Sequence, residues 1–196
     1  MHLGHVFDTH LTDDDDILAR RNSFIGQANN FFCNFPMLDV ETRNSLFKVG
    51  LYCNSHYGSE LWNLTNNKLE DYCIAWRKSL RRLWSLPYNL SQLSTALTSF
   101  TIPLFDEICR SVTNFIYSCL HCDSNFIRYV VLYGIQVSHT NSPVALNAAF
   151  CSLHYNTRIG NLFDAKLSSH YCSARFRSEL STDLLARVPM LYARLY

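Results

Sequence analysis

Apolar residues recur along most of this chain at the three- and four-residue spacing of a helix face. From Asp13 they fall at 17, 18, 24, 25, 28, 31, 32 and 35 until Pro36 closes the run, which predicts a helix over 13–34. Asp39 is placed to cap a second helix, 39–53, carrying Val40, Leu46, Phe47, Val49, Leu51 and Tyr52. Gly50 and Gly58 predict a kink or break before Leu61 and Trp62. The clearest stripe is Leu69, Tyr72, Cys73, Trp76, Leu80, Leu83 and Trp84, on a helix expected over 67–84, begun by Asn66 or Asn67 and ended by Pro87.

A short helix is expected over 91–100. Pro103 suits the first turn of a longer one, 103–121, with Leu104, Ile108, Val112, Phe115, Ile116 and Cys119 on one face. Another is expected over 126–133, then a loop at 138–143, helical patterning from Val144 to Tyr155, and helical composition from Leu180 to Tyr196 broken by Pro189. Only residues 2–8 alternate in the manner of a strand. The fold class is therefore mainly α, a helical bundle with at most a short N-terminal β-element.

Composition agrees. With 48% hydrophobic residues in 196, the chain carries enough apolar mass for a sizeable core, and global disorder is excluded. Six Gly and five Pro are too few for the turns of an all-β sandwich. Eight cysteines, about 4%, fall below the roughly 8–10% of a disulfide scaffold. With no signal-peptide pattern at the start, reduced, packed thiols and an intracellular (cytoplasmic or nuclear) setting are expected, and the sequons at Asn63 and Asn89 then carry no meaning. The most apolar stretch, Phe126 to Ile135, is interrupted by Arg128 and falls short of the ~20 residues of a membrane span.

Net charge is +1, so the whole-chain charge selects no partner. Its distribution does: residues 1–16 hold Asp8 and Asp13 to Asp16 with no Lys or Arg, whereas Trp76 to Trp84 hold Arg77, Lys78, Arg81 and Arg82 with no acid. The four successive aspartates do not make a two-metal site, because neighbouring helical residues point about 100° apart. They complement the positive end of a helix instead. Cys119, Cys122, Cys151 and His154 are zinc-compatible in type, yet the 28 residues between the pairs exceed the spacing of a zinc ribbon, and packed thiols are expected. No nucleophile elbow, phosphate-binding glycine loop or His-Glu-x-x-His helix is present, so no enzyme site and no cofactor are expected. The basic helix interleaves cations with tryptophan, which suits phosphate contacts; Trp76, Leu80 and Trp84 are expected to face inward and leave the bases free.

The strings Arg20-Arg21-Asn22-Ser23-Phe24-Ile25-Gly26-Gln27-Ala28-Asn29, Tyr57-Gly58-Ser59-Glu60-Leu61-Trp62 and Ala75-Trp76-Arg77-Lys78-Ser79-Leu80-Arg81-Arg82-Leu83-Trp84-Ser85-Leu86-Pro87 resemble, in order and spacing, the region downstream of the palm in non-LTR (LINE-type) retrotransposon reverse transcriptases. The opening His2-Leu3-Gly4-His5 is similar to that family's primer-grip hairpin, and Pro103 to Gly134 and Asn141 to Tyr155 match its later helices more loosely. The resemblance implies a fragment: 1–12 a remnant of the grip, 13–134 a thumb-like helical domain, 135–196 a post-thumb region. It also implies that the catalytic aspartates lie upstream, so that this chain does not polymerise, and that Arg77, Lys78, Arg81 and Arg82 contact an RNA/DNA template–primer duplex beside the missing palm. A non-enzymatic helical interaction module, with zinc on Cys119, Cys122, Cys151 and His154, is the other reading.

Overall fold

The computed structural model describes residues 12–52, 57–88, 103–136 and 143–155. The chain divides into two units, Met1–Lys166 and Leu167–Tyr196, and every described residue belongs to the first. Among the described residues each regular element is helical: α1 (Asp14–Asn34), α2 (Val40–Phe47), α3 (Asn67–Leu83), α4 (Leu104–Leu120), α5 (Asn125–Gln136) and α6 (Pro143–His154). The mainly α expectation holds. The expected β-element at 2–8, the helix at 91–100 and the segment 180–196 lie outside the described residues, while positions 134 and 135 fall within one helix, α5.

Local chemistry explains the boundaries. Asp39 caps α2 by accepting from the Thr42 amide at 2.8 Å, and bonds from the Thr42 side chain and amide hold its carboxyl below the usual 3.8. The expected helix over 39–53 is regular only to Phe47, after which Lys48–Tyr52, containing Gly50, widens into a π-helical turn. Asn66 caps α3 through the Lys68 amide, also at 2.8 Å.

The far end of α3 departs from the expected pattern. The helix stops before Pro87, in a Schellman turn: the Leu86 amide reaches the Arg81 carbonyl at 2.8 Å and the Ser85 amide reaches the Arg82 carbonyl at 3.3 Å. Ser85 occupies the left-handed position at φ 50, where glycine is usual. Trp84, at the cap, leaves helical geometry and is half-buried, whereas Trp76 and Leu80 are fully buried as expected.

Two cores result. Between α1, α2 and α3, edge-to-face rings connect Phe47 to Phe24 (6.2 Å), Phe24 to Tyr72 (5.8 Å) and Tyr72 to Trp62 (6.0 Å), each such pair adding about 0.5–1.5 kcal/mol beyond its burial. Where α4 and α6 pack together, Ile108, Cys109 and Val112 of the one and the small Ala145, Ala148 and Cys151 of the other are buried, with Cys151 on the Cys109 carbonyl. Phe115, expected on the inner stripe of α4, is instead 42% exposed.

Residues 58–66 join the two cores. Gly58 takes φ 85, turning the chain into a 3-10 turn over Ser59–Leu61 that packs on α4. Trp62 is buried and donates its indole N–H to Asp16 at 2.7 Å. The Asn63 amide reaches Asp13 at 2.7 Å, and the Asn66 side-chain amide reaches Asp14 at 2.8 Å. From the other side, Asn147 of α6 accepts from the Leu64 amide at 3.0 Å and donates to the Trp62 carbonyl at 2.8 Å.

Candidate nucleic-acid interface

α1 and α3 pack side by side, and along their seam lies a groove of about 440 Å³. Ile25, Phe32, Ile74 and Ala75 form its apolar wall; Arg21 from α1 and Lys78 and Arg82 from α3 supply its cations. Lys78 and Arg82, four apart, stand one above the other on the outer face of α3.

The cations differ in how they are held. Arg82 lies with its guanidinium 4.4 Å from the centre of the Phe32 ring and donates to Asn29 Oδ1 at 3.1 Å, which fixes a planar cation at the mouth of the groove. Arg21 donates to the neighbouring Asn22 side chain at 3.4 Å, and Lys78 is exposed. Among the described residues, none of Arg21, Lys78 and Arg82 is ion-paired to a carboxylate, so each retains its charge for a ligand. Asp71 marks the acidic end of the same groove.

A second depression, about 530 Å³, continues past the helix end between Lys78, Arg81, Arg82, Ser85, Leu86 and Tyr88. The Schellman turn folds Tyr88 back on the helix, where its carbonyl accepts from Arg81 at 2.7 Å and its ring lies 5.4 Å from the Arg81 guanidinium. Of the four bases singled out in the sequence, Lys78, Arg81 and Arg82 are thus brought together. Arg77 points elsewhere, its guanidinium bound to Glu70 at 2.7 Å one face round the helix, and it lines neither depression. Arg21 was missed by sequence reasoning; its signal was the Arg20-Arg21 pair one turn beyond the acidic start of α1.

The four aspartates at the start of α1 prove more than a dipole complement. Asp13, Asp14 and Asp16 each hold the 62–66 segment, and Asp16, fully buried, also lies 3.8 Å from Arg20. The zinc-compatible residues are dispersed among local partners. Cys122 donates to the Cys119 carbonyl at 3.0 Å, Cys151 sits 3.8 Å from the Cys109 carbonyl inside the α4–α6 core, and His154 meets Asp106 at 2.8 Å. Among the described residues no three His, Cys, Asp or Glu side chains gather as metal ligands.

Burial pushes the Cys73 thiol up to about 12, and a hydrogen bond donated by Cys109 to Cys151, together with burial, raises Cys109. Among the described residues Cys33 alone of the free thiols is exposed. No helix there is long and apolar enough to cross a membrane.

No protein-family model, curated protein or solved structure matches this chain.

Proposed function

We propose that this chain binds template–primer nucleic acid through backbone phosphates, as a non-catalytic thumb-like fragment of a non-LTR reverse transcriptase. The observation that carries this reading is the convergence of Arg21, Lys78, Arg81 and Arg82, from two helices, on two adjoining depressions at the α1–α3 seam. Two rigid helices fix the spacing of the charges, and phosphate contacts of this kind position a duplex without reading its sequence. Arg82, held over Phe32 and on Asn29, carries the guanidinium fork suited to phosphate oxygens.

The test is the salt dependence of binding to an RNA–DNA hybrid, followed by fluorescence anisotropy. Each phosphate contact steepens log K against log[salt] by somewhat under one unit, about 0.9 for B-form DNA. Replacing Arg21, Lys78 and Arg82 together by Gln is expected to flatten the slope by roughly two to three units, while Arg77→Gln, whose charge is already on Glu70, leaves it nearly unchanged. Equal affinity and equal slope for the triple variant and the parent would sink the proposal. The same preparation, given template–primer, nucleotides and Mg²⁺, is expected to incorporate nothing above blank. Incorporation abolished by Asp14→Asn with Asp15→Asn would overturn the non-catalytic part.

A further inference from the structure

The outer face of α5 is built differently from every other surface described. Phe126, Tyr129, Val130 and Tyr133, at the i, i+3, i+4, i+7 spacing of a helix–helix seam, are 77, 68, 50 and 56% exposed. Tyr129 and Tyr133 stack on one another, ring centres 6.3 Å apart and tilted by 20°, so that the middle of the stripe is a pair of near-parallel rings. α5 contains no acid and one base, Arg128, which is on the opposite side of the helix with its guanidinium on the Cys122 carbonyl at 2.8 Å. The inner side, Val131, Gly134 and Ile135, is half-buried where α5 lies against α4 and α6. An uncharged aromatic seam this open to water marks an interaction surface rather than a solvated face.

We propose that this seam is a two-fold interface between two copies of the chain, the α5 helices packing antiparallel with Val130 near the axis. Three features select a second copy. The stripe carries no charge, so it repels no copy of itself and offers nothing to an ionic partner. Its ends are chemically alike, Phe126 at one and Tyr133 at the other, so an antiparallel mate sets ring against ring, with the tyrosine hydroxyls at the wet rim. The area also fits: at about 150–250 Å² for each fully buried ring, the exposed parts of the three rings in two copies sum to roughly 600–1,000 Å². Val130 adds on the order of 100 Å², so the total lies around the ~1,000 Å² boundary where weak, transient interfaces are found. The dimer is therefore concentration-dependent rather than obligate.

Sedimentation of the full chain over a hundredfold concentration range tests this, because a two-fold contact makes a demanding prediction about mixing. The parent is expected to shift reversibly from monomer to dimer. Val130→Glu and Val130→Lys are each expected to remain monomeric alone, and to form a one-to-one heterodimer when mixed, since the opposed charges meet across the axis. Both substitutions are at a half-exposed position, and circular dichroism checks that the helices persist. Should either variant lose its helices, Phe126→Glu, at the most exposed ring, takes its place, and loss of the dimer in that variant is the supporting result. A parent that stays monomeric throughout overturns the proposal, as does a dimer that survives Val130→Glu or Phe126→Glu. Two folded monomeric variants that fail to pair on mixing overturn the antiparallel arrangement. None of these readings involves the α1–α3 groove, so they stand or fall separately from nucleic-acid binding.

Discussion

Asn147→Ala isolates the contact that ties α6 to the segment after Trp62. The side chain is 5% exposed and makes two bonds to backbone groups, the Leu64 amide at 3.0 Å and the Trp62 carbonyl at 2.8 Å. Truncation leaves both groups buried without a partner, at about 1–3 kcal/mol each, and opens a small void, so about 3–5 kcal/mol is expected in all. For a unit of this size each kcal/mol moves the melting temperature by roughly 2–4 °C, giving a fall of about 10 °C or more. Thermal and urea melts followed by circular dichroism measure the change, and hydrogen exchange at the Leu64 amide localises it. Asn147→Asp keeps the acceptor for Leu64 but sets a buried carboxylate against the Trp62 carbonyl. Its folded-state pKa is raised, so the folded form takes up the proton, and this variant is expected to regain stability as pH falls towards about 5. A melting temperature for Asn147→Ala within about 2 °C of the parent, with Leu64 exchange unaltered, would refute the reasoning.

Other expectations follow from single residues. Ser85→Gly relieves a left-handed serine and is expected to stabilise the chain by about 1 kcal/mol, while Ser85→Val destabilises it; denaturant melts give both signs. Cys73, pushed from the usual 9.0 to about 12, favours the folded state in full below about pH 9, and that contribution is lost progressively as pH rises from about 9 towards 12. Urea melts between pH 8 and about 10.5 are therefore expected to weaken with pH, and less so in Cys73→Ala. Among the described cysteines, native alkylation followed by mass spectrometry is expected to modify Cys33 before any other and to leave Cys73, Cys109 and Cys151 unreacted.

Much of the fold was legible because it is local. The stripe on α3 is written at three- and four-residue spacing, and Leu69, Tyr72, Cys73, Trp76, Leu80 and Leu83 are all buried. Asp39 and Asn66 are readable caps because their partners lie two or three residues on. Trp84 marks the limit of periodicity: it lies one residue past the helix, where the Schellman turn and not the helical wheel sets its direction and holds it at the boundary. Asp16 and Asn147 failed for a different reason. Their partners lie 46 and more than 80 residues away, and no periodicity encodes such a pairing. Of the candidate groove, the α3 cations were visible, but their division was not. Whether Arg77 or Arg21 joins Lys78 depends on which way α1 lies across α3, and that is settled by packing.

The fastening of residues 62–66 from both sides has a consequence for the order of synthesis. Asp13, Asp14 and Asp16 leave the ribosome first and meet Trp62, Asn63 and Asn66 about fifty residues later, yet the Leu64 amide and the Trp62 carbonyl wait for Asn147. Until then only the first core, of α1, α2 and α3, can form, while α4 lacks the α6 side chains that complete the second and the segment between them stays incompletely satisfied. Emergence of α6 is thus the step that both completes the second core and fastens it to the first, and a ribosome paused before residue 147 holds a chain still open to proteolysis at the Trp62 turn.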